Sequence, residues 1–439
     1  MRNVTSSDPR DLIVVGGGLA GLAAATVAAR NGLRVLVLEK SGDLGGRAQT
    51  QSREGYSFNL GAHALYRGGP AMRVLRELGI EPRGNPPGTS GGFAVHAGKA
   101  HTLPAGPVSL LTTSLFGLGA KLEVARLLAQ LGKLDTAPLR GLSVAAGLER
   151  IATRPEVREL LRALIRLSTY TNDPERQSAG AALDQLKLAL SQNVLYLDGG
   201  WTVLVDALRT AATTAGVEFL TGVSVQEVEF DDAVRAVRLR DGGRIGARAV
   251  VLAIAPDEVS ALVGRGEHPA VSRWARESIP VRAACLDVAL RKLPQPRRTF
   301  ALGVDRPLYL SVHSAVASLA PAGGALVHLI EYLPRGETGD GAGFERELSN
   351  LMTLLQPGWE EQVVHQRFLP HVVVSNRVVT TEGGLDGRPG PEVPGVRQLF
   401  VAGDWVGREG QLADASLASG HRAATLATAA IGAHPARAA

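Results

Sequence analysis

The sequence predicts an α/β protein in which a parallel-sheet domain is interleaved with an α+β domain of sheet plus helices. A strand, glycine turn, helix and second strand open the chain between residues 11 and 39. Short β-rich segments return after residue 216, and a further strand and helix follow residue 397. The intervening stretches differ, being helical at 103–166 and β-rich at 281–333. At 439 residues the chain also exceeds one ordinary domain of roughly 100–200 residues.

The predicted domain limits follow these changes of pattern. We assign residues 10–85, 195–265 and 390–435 to the parallel-sheet domain, and residues 86–194 and 266–389 to the second domain. The last boundary falls in a connector rich in proline and glycine, which is typical of a loop between elements.

Composition and charge exclude several classes of protein. The 45% of hydrophobic residues can fill large cores, and no run of about 20 apolar residues lacks glycine breaks or charges. The net charge is +5, but the basic residues are scattered, so we expect no nucleic-acid partner. Cys285 is the only cysteine, which excludes an intrachain disulfide and a cysteine-based metal site. We therefore expect a cytoplasmic protein without a metal centre.

The glycine turn fits a dinucleotide-binding motif. Residues 16–21 read G-G-G-L-A-G, between the predicted strand 11–15 and the predicted helix 22–31, and Glu39 ends the next strand. In such a unit the helix N-terminus binds a pyrophosphate, and the carboxylate accepts the hydroxyl groups of the adenosine ribose. The pattern predicts a Rossmann-type site. Its predicted residues are Gly16, Gly18, Leu19, Ala20, Gly21, Glu39 and Lys40.

Two further glycine stretches extend this site. Residues 44–47 read L-G-G-R, in which the glycines permit close approach to a ligand and Arg47 offers a forked donor to pyrophosphate. Residues 59–63 read N-L-G-A-H, in which Gly61 lets the backbone pass beside a flat ring and His63 follows. A hydrogen-bonded structural role is the alternative for His63. The residues assigned here are Gly46, Arg47, Gly61, Ala62 and His63.

A C-terminal motif points to a flavin. The strand at 399–402 delivers Asp404 to a position where its carboxylate can meet a ribityl hydroxyl. The following helix aims its N-terminal amides at the pyrimidine edge of the ring, which carries negative charge when reduced. We therefore predict FAD as the cofactor. The residues assigned here are Gly403, Asp404, Gln411, Leu412 and Ala413.

Together these motifs resemble the flavin amine oxidase and phytoene desaturase superfamily of FAD-dependent oxidoreductases. Residues 195–204 are similar to the G-G-x-x-x-L stretch where that superfamily re-enters its FAD domain, so the resemblance covers nearly the whole chain. The helical stretch 107–131 resembles substrate domains of the carotenoid-desaturase and protoporphyrinogen-oxidase branches. The resemblance implies hydride transfer to flavin N5, and a backbone contact of Val225 with the adenine.

The sequence departs from the amine-oxidizing branch of that superfamily, in which a lysine near flavin N5 and two aromatic rings serve the amine. The strand 286–291 contains no lysine, Lys292 after it is expected to be solvated, and Gln411 stands where a cage tyrosine is expected, although Trp405 is present. We therefore expect an apolar, isoprenoid or lipid-like substrate that is dehydrogenated or desaturated. The catalytic candidates are His63, Tyr309 and His313.

Two other functions stay open. One is an amine or amino-acid oxidase that uses oxygen, and the other is a flavin-dependent isomerase without net redox change. The electron acceptor is also open between oxygen and a quinone.

The helical stretch from residue 103 has apolar residues at every third or fourth position, which predicts a packed amphipathic helix. The alternative is a face that docks peripherally on a membrane. The positions in question are Leu111, Leu115, Leu118, Leu122 and Ala125.

Overall fold

The computed structural model describes residues 9–88, 91–337 and 339–432, so the predicted limits at 433–435 lie outside the described residues. Within these ranges the α-helices are α1 (Leu19–Arg30), α2 (Pro70–Glu77), α3 (Pro107–Thr112), α4 (Leu118–Leu131), α5 (Val144–Ile151), α6 (Pro155–Thr169), α7 (Ala179–Gln192), α8 (Thr202–Thr214), α9 (Pro256–Leu262), α10 (Pro269–Glu277), α11 (Gly341–Leu355) and α12 (Leu412–Ala430). The strands are β1 (Arg10–Val15), β2 (Val35–Glu39), β3 (Thr50–Arg53), β4 (Tyr56–Asn59), β5 (Leu65–Tyr66), β6 (Gly84–Asn85), β7 (Phe93–His96), β8 (Lys99–Thr102), β9 (Val194–Leu197), β10 (Glu218–Thr221), β11 (Val225–Phe230), β12 (Val234–Leu239), β13 (Arg244–Leu252), β14 (Val281–Leu290), β15 (Phe300–Gly303), β16 (Leu308–Val312), β17 (Ala325–Leu333), β18 (Val363–Ser375) and β19 (Leu399–Val401).

The first large sheet has a parallel core in the order β10-β2-β1-β13-β19. The first residues of β13 pair antiparallel with β12, which in turn pairs with β11. Helices α1, α2, α8 and α12 cover one face of this sheet, and α9 and α10 pack on the other. Because both faces are covered, the central strands are continuously apolar, as a buried parallel sheet requires.

Close packing of α12 on α1 determines where the C-terminal motif lies. A Cβ atom added at Gly420 would lie 2.2 Å from the carbonyl oxygen of Ala20, so only glycine fits at this contact. The contact holds the last helix against the helix that follows the glycine turn. Segments from the two ends of the chain therefore meet at one edge of the parallel sheet.

The second large sheet has the order β18-β14-β17-β16-β15-β7-β8 and is antiparallel except between β15 and β7. Side chains alternate along its strands, and one apolar face packs on α11. The opposite face packs against the segment around Phe58 and Ala62. This inner face of the sheet therefore lies against a segment predicted to contact the cofactor.

The structure confirms the predicted fold class, a parallel-sheet unit interleaved with sheet and helices. The helix after the glycine turn begins at Leu19, three positions before the predicted start, because Gly18 already forms its N-cap. The C-terminal helix begins at Leu412, earlier than the predicted 414. The domain limits stay a prediction.

The expectation that the apolar stripe on α3 and α4 packs into the core was wrong. Leu111, Leu118 and Leu122 have relative exposures of 74%, 82% and 73%. The spacing of apolar residues was followed as if α3 and α4 were one helix, but residues 113–117 between them are not helical. Apolar residues on the two helices therefore do not form one continuous stripe. Of the other two positions, Leu115 is half-buried and Ala125 is exposed.

In the described ranges, no helix combines the length and apolarity needed to cross a membrane.

Candidate active site

Two glycines of the turn are closely packed against neighbouring backbone, whereas a third has open space beside it. Gly16 has φ +103°, and a Cβ atom on it would lie 2.6 Å from the carbonyl oxygen of Ala253. A Cβ atom on Gly21 would lie 1.9 Å from the carbonyl oxygen of Gly16. A Cβ atom on Gly18, by contrast, would lie 3.9 Å from its nearest neighbour, the carbonyl oxygen of Gly45. This open side, at the N-terminus of α1, fits the approach of a pyrophosphate.

Glu39 is held beside this turn. Its Oε2 accepts a hydrogen bond of 2.7 Å from the backbone N–H of Gly17, and its Oε1 accepts one of 2.8 Å from Ser41. A carboxylate has about four lone-pair positions, so both oxygens can still accept ribose hydroxyls. The N–H of Val223 donates to the carbonyl of Glu39, which brings the segment leading to Val225 beside it.

Lys40 differs from its neighbours in the predicted set. Its ammonium group is exposed and forms an ion pair with Glu258, which raises the pKa of the lysine. The Lys40 side chain therefore occupies a surface ion pair rather than a position within the glycine turn.

The loop containing Gly46 lies directly over the glycine turn. Gly45 and Gly46 have φ values of +113° and +52°, a left-handed conformation that favours glycine. The N–H of Gly45 donates to the carbonyl of Gly17 over 2.8 Å, and Gly18 forms a β-bridge with Gly45. The two predicted glycine motifs are thus paired with each other and form one continuous surface.

Arg47 and Asp404 join the two ends of the predicted cofactor site. Arg47 Nη1 lies 2.8 Å from Asp404 Oδ2 and also donates to the carbonyl of Val374 over 2.9 Å. The sequence predicted that Arg47 meets pyrophosphate; the structure shows a carboxylate partner for it. Because a guanidinium has five N–H donors and this one is 41% exposed, it retains donors for a phosphate as well.

Asp404 is buried and fully paired. Besides Arg47, its oxygens accept hydrogen bonds from the backbone N–H of Asn376 over 3.1 Å and from Asn376 Nδ2 over 2.9 Å. Burial raises the pKa of Asp404, but Arg47 and Asn376 outweigh burial and hold it below its usual value. The carboxylate is therefore ionised and fixed in orientation.

The start of α12 lies in the same polar cavity as Asp404. Gln411 and Leu412 line this cavity together with Thr169 and Arg388. Leu412 has φ +56°, a strained conformation for a leucine, at the first residue of the helix, and Ala413 follows it. The N-terminal amides of a long helix favour negative charge, which fits the predicted pyrimidine edge of a flavin.

His63 links the loop that is predicted to face the ring with the loop around Arg47 that is predicted to meet the pyrophosphate. Its Nδ1 lies 2.9 Å from the carbonyl oxygen of Gly61, and its Nε2 lies 3.1 Å from that of Arg47. Burial lowers the pKa of His63, and the two carbonyls oppose that effect. The contacts favour a structural role for this histidine over proton transfer.

The features of an amine site are missing at the positions where they were sought. Cys285 of β14 lies opposite Gly61, and a Cβ atom added to Gly61 would lie 2.9 Å from the Cys285 sulfur. No lysine occurs in β14, and Lys292 beyond it is exposed. Trp405 is fully buried in the core of the parallel-sheet unit, where its Nε1 donates to the carbonyl of Ile254, so it is not available as a cage wall.

Tyr309 and His313 lie together on the inner face of the second sheet. Tyr309 Oη is 3.2 Å from His313 Nε2 and 3.3 Å from Tyr196 Oη. The Tyr196 ring stacks on His313 with centroids 3.7 Å apart. Burial raises the pKa of Tyr309 well above its usual value and lowers that of His313 well below it, so both groups are neutral at pH 7.

Three charged or polar residues on this face, of which Asp287 and His328 are fully buried, were not predicted as a group. Asp287, His328 and Arg367 are opposite one another in β14, β17 and β18. The sequence signal was a charged or polar residue in the middle of a mainly apolar strand, first at Asp287 and then at His328.

An apolar cavity of about 540 Å³ lies between the helices and the second sheet. It is lined mainly by leucines of α4 and α6, and its inner end reaches Leu167 and Phe300. Both residues pack against the group that contains Ala62 and Tyr309, and the Phe300 and Tyr309 rings meet edge to face at 5.7 Å. The cavity therefore leads from α4 to the segment predicted to face the ring.

The sequence profile of the flavin containing amine oxidoreductase family matches residues 19–428. The chain therefore belongs to this family, and it is an FAD-dependent oxidoreductase. This confirms the resemblance and the cofactor that the glycine turn and the C-terminal motif predicted.

Individual relatives are more distant. Coproporphyrinogen III oxidase of Propionibacterium freudenreichii subsp. freudenreichii is 36% identical over 109 residues, 24% of this chain and 20% of that protein. The 4,4'-diaponeurosporene oxygenase of Staphylococcus haemolyticus is 22% identical over 283 residues, 55% of this chain and 54% of the relative. A double mutant of putrescine oxidase has a similar structure, with a TM-score of 0.75, 17% identity and coverage of 96% and 99% of the two chains. The chain thus spans at most about half of these two curated relatives, and the structural likeness shows the fold alone.

We expect Asp404→Ala and Asp404→Asn to weaken FAD binding by about 1–3 kcal/mol, because a buried charge-assisted contact is lost. Titration of the apoprotein with FAD measures the affinity, and the absorption spectrum reports the flavin environment. Asp386→Asn, at an exposed ion pair with Arg408, is the control. Unchanged affinity together with an unchanged spectrum in both Asp404 variants would place this carboxylate away from the cofactor.

Proposed function

We propose that the protein dehydrogenates or desaturates a largely apolar, isoprenoid or lipid-like substrate by hydride transfer to FAD. The observation that carries this proposal is the leucine-lined cavity of about 540 Å³ that ends beside Ala62 and Tyr309. Burying an apolar chain there gains about 25 cal/mol for each square ångström removed from water.

The charges around this cavity disfavour an amine. The charged residues that line it are Arg126 and Arg150, which repel an ammonium group. An ammonium group that leaves water without a partner loses several kcal/mol of hydration, roughly as for other buried polar groups. Among the acids on the second sheet, Asp287 is already paired with His328 and Arg367, and burial raises the pKa of Glu331.

Within this proposal each group has a distinct task. FAD supplies the acceptor for two electrons and a hydrogen nucleus. The glycine turn would hold its pyrophosphate, Glu39 its adenosine ribose, and Asp404 with Arg47 its ribityl chain. The apolar cavity would exclude water from the reacting C–H bond. His63 would fix the two loops at the ring, whereas Tyr309 and His313 would face the substrate as hydrogen-bonding candidates for catalysis.

Anaerobic mixing with a panel of compounds tests the substrate class. Carotenoid precursors or sterols should bleach the flavin, whereas small primary amines and amino acids should react poorly. Leu164→Trp, which narrows the cavity from α6, should slow the apolar reaction. Leu354→Trp, at a half-buried leucine of α11 outside the cavity, is the matched control.

Two results would change the assignment. Rapid bleaching by a simple amine, with no response to any apolar compound, would establish the amine-oxidase alternative. Product formation without net bleaching would establish the isomerase alternative.

We also propose that α3 and α4 dock on a lipid bilayer. Leu111, Leu118 and Leu122 are exposed between 73% and 82%, and the cavity behind them is lined by Leu127 and Leu128 of the same helix α4. Burying each exposed leucine in lipid is worth about 1.5–3 kcal/mol. A lipid-like substrate could then pass from the bilayer to the cavity without entering water.

Cosedimentation with phosphatidylcholine vesicles, with and without phosphatidylglycerol, tests the docking. The double variant Leu118→Ser and Leu122→Ser should lose most of the binding. Leu262→Ser, which changes a half-buried leucine of α9 outside α3, α4 and the cavity, serves as the control. Equal binding by the wild type and the double variant would exclude this face as the docking site.

A further inference from the structure

A row of three charged or polar side chains crosses the inner face of the second sheet. Asp287 Oδ1 lies 2.6 Å from His328 Nδ1, and Asp287 Oδ2 lies 2.6 Å from Arg367 Nη2. Asp287 and His328 are fully buried. Burial raises the pKa of Asp287, but His328 and Arg367 outweigh burial and keep it below its usual value. The carboxylate is therefore ionised beside the imidazole.

The second nitrogen of His328 is the unusual feature of this row. Its Nε2 is buried and has no hydrogen-bond partner among the described residues. Buried polar atoms in proteins are nearly always paired, so one that is not calls for an explanation. Because the carboxylate accepts a hydrogen bond from Nδ1–H, the neutral ring presents a free lone pair at Nε2. A carboxylate that fixes the tautomer of a histidine in this way is the usual arrangement of a histidine base.

The row lies against the segment that is predicted to face the flavin ring. Arg367 Nη2 also donates to the carbonyl oxygen of Asn59. Cys285, two residues before Asp287 and on the same face of β14, contacts Gly61. The His328 ring is 4.5 Å from the His313 ring, measured between centroids. The His328 ring thus packs against His313, whose Nε2 lies 3.2 Å from the Tyr309 hydroxyl, and Leu167 and Phe300 of the cavity pack against the group that contains Tyr309.

We propose that His328, oriented by Asp287 and Arg367, accepts the proton that the substrate loses during dehydrogenation. The proposal rests on the proposed function. Two C–H bonds of the substrate break: one hydrogen leaves as hydride to FAD, and the other leaves as a proton that bonds to His328 Nε2. The electron pair of the second C–H bond becomes the new C=C bond. The imidazolium remains paired with Asp287 until its proton returns to solvent.

His313 is a weaker choice for this role. Its Nε2 is already engaged with the Tyr309 hydroxyl, and its ring lies flat on Tyr196. Burial lowers its pKa, and the neighbouring His328 and His63 lower it further. No carboxylate is bonded to it, whereas Asp287 stabilises a proton on His328.

The pH dependence has a defined direction. The charged and titratable groups around His328 are Asp287 from β14, Arg367 from β18, His313 after β16, and His63 after β4. A base acts when it is neutral, so the rate of flavin reduction should rise with pH in the wild type and lose this rise in His328→Gln. Removing the carboxylate charge should shift this rise to lower pH.

Stopped-flow reduction by an apolar substrate, measured across pH, tests the role in His328→Gln and Asp287→Asn. Loss of the base should slow reduction about 100-fold or more in His328→Gln, with FAD retained. Asp287→Asn should shift the rising limb to lower pH. His371→Gln, at an exposed histidine of β18, should behave as the wild type.

A measurement that needs no substrate separates this proposal from the proposed function. The change of the flavin midpoint potential with pH counts the protons bound per two electrons. Negative charge gained by the cofactor should draw a proton onto His328, so the wild type should bind more protons than Asp287→Asn or His328→Gln. The same dependence in the wild type and Asp287→Asn would overturn the proposal, even if His328→Gln failed to fold. A difference in proton uptake without reduction by any apolar compound would support His328 and reject the substrate class.

Discussion

The ion pair between Arg47 and Asp404 is the contact on which the cofactor groove depends. It joins residues that are 357 positions apart in the chain. A buried carboxylate is unfavourable unless it is paired, and Arg47 and Asn376 supply that pairing. The same contact brings the glycine loop around Gly46 to the start of α12. The predicted cofactor site therefore lies between the N-terminal amides of two helices, α1 at the predicted pyrophosphate and α12 at the predicted ring.

In the proposed dehydrogenation, the second sheet would supply two features, an apolar route for the substrate and a place for a proton. The route would be the cavity under α4 and α6, whose lining includes Phe300 and Leu167. The place for a proton is the polar row through Asp287 and His328, on the face turned toward Gly61. Residues on the outer face of the same strands pack on α11. Because side chains alternate along a strand, residues that pack in the core lie on one face and the polar row lies on the other.

Most of the predicted cofactor site rests on residues that are close together in the sequence, and the structure confirms the strands and helices that carry them. A glycine turn between a strand and a helix, an acid at the end of the next strand and a strand leading into Asp404 each follow from neighbouring residues. The pairing of Arg47 with Asp404 could not be predicted, because the two residues are 357 positions apart. The row through His328 could not be predicted either, because it depends on the register of strands whose paired residues are 41 and 80 positions apart. The expectation that the apolar residues of α3 and α4 pack into the core was wrong for a local reason. The helix breaks between α3 and α4, and the spacing of apolar residues alone does not reveal that break. Trp405 looked like a possible cage aromatic, but its position was decided by packing in the core.

The central claim is that these two ends of the chain hold one FAD. The most direct test is to denature the purified protein, identify the released chromophore by chromatography and mass spectrometry, and determine its ratio to protein. We expect a yellow protein that releases FAD at one molecule per chain. A protein that releases FMN, a nicotinamide cofactor alone, or no flavin even after reconstitution with FAD would contradict it.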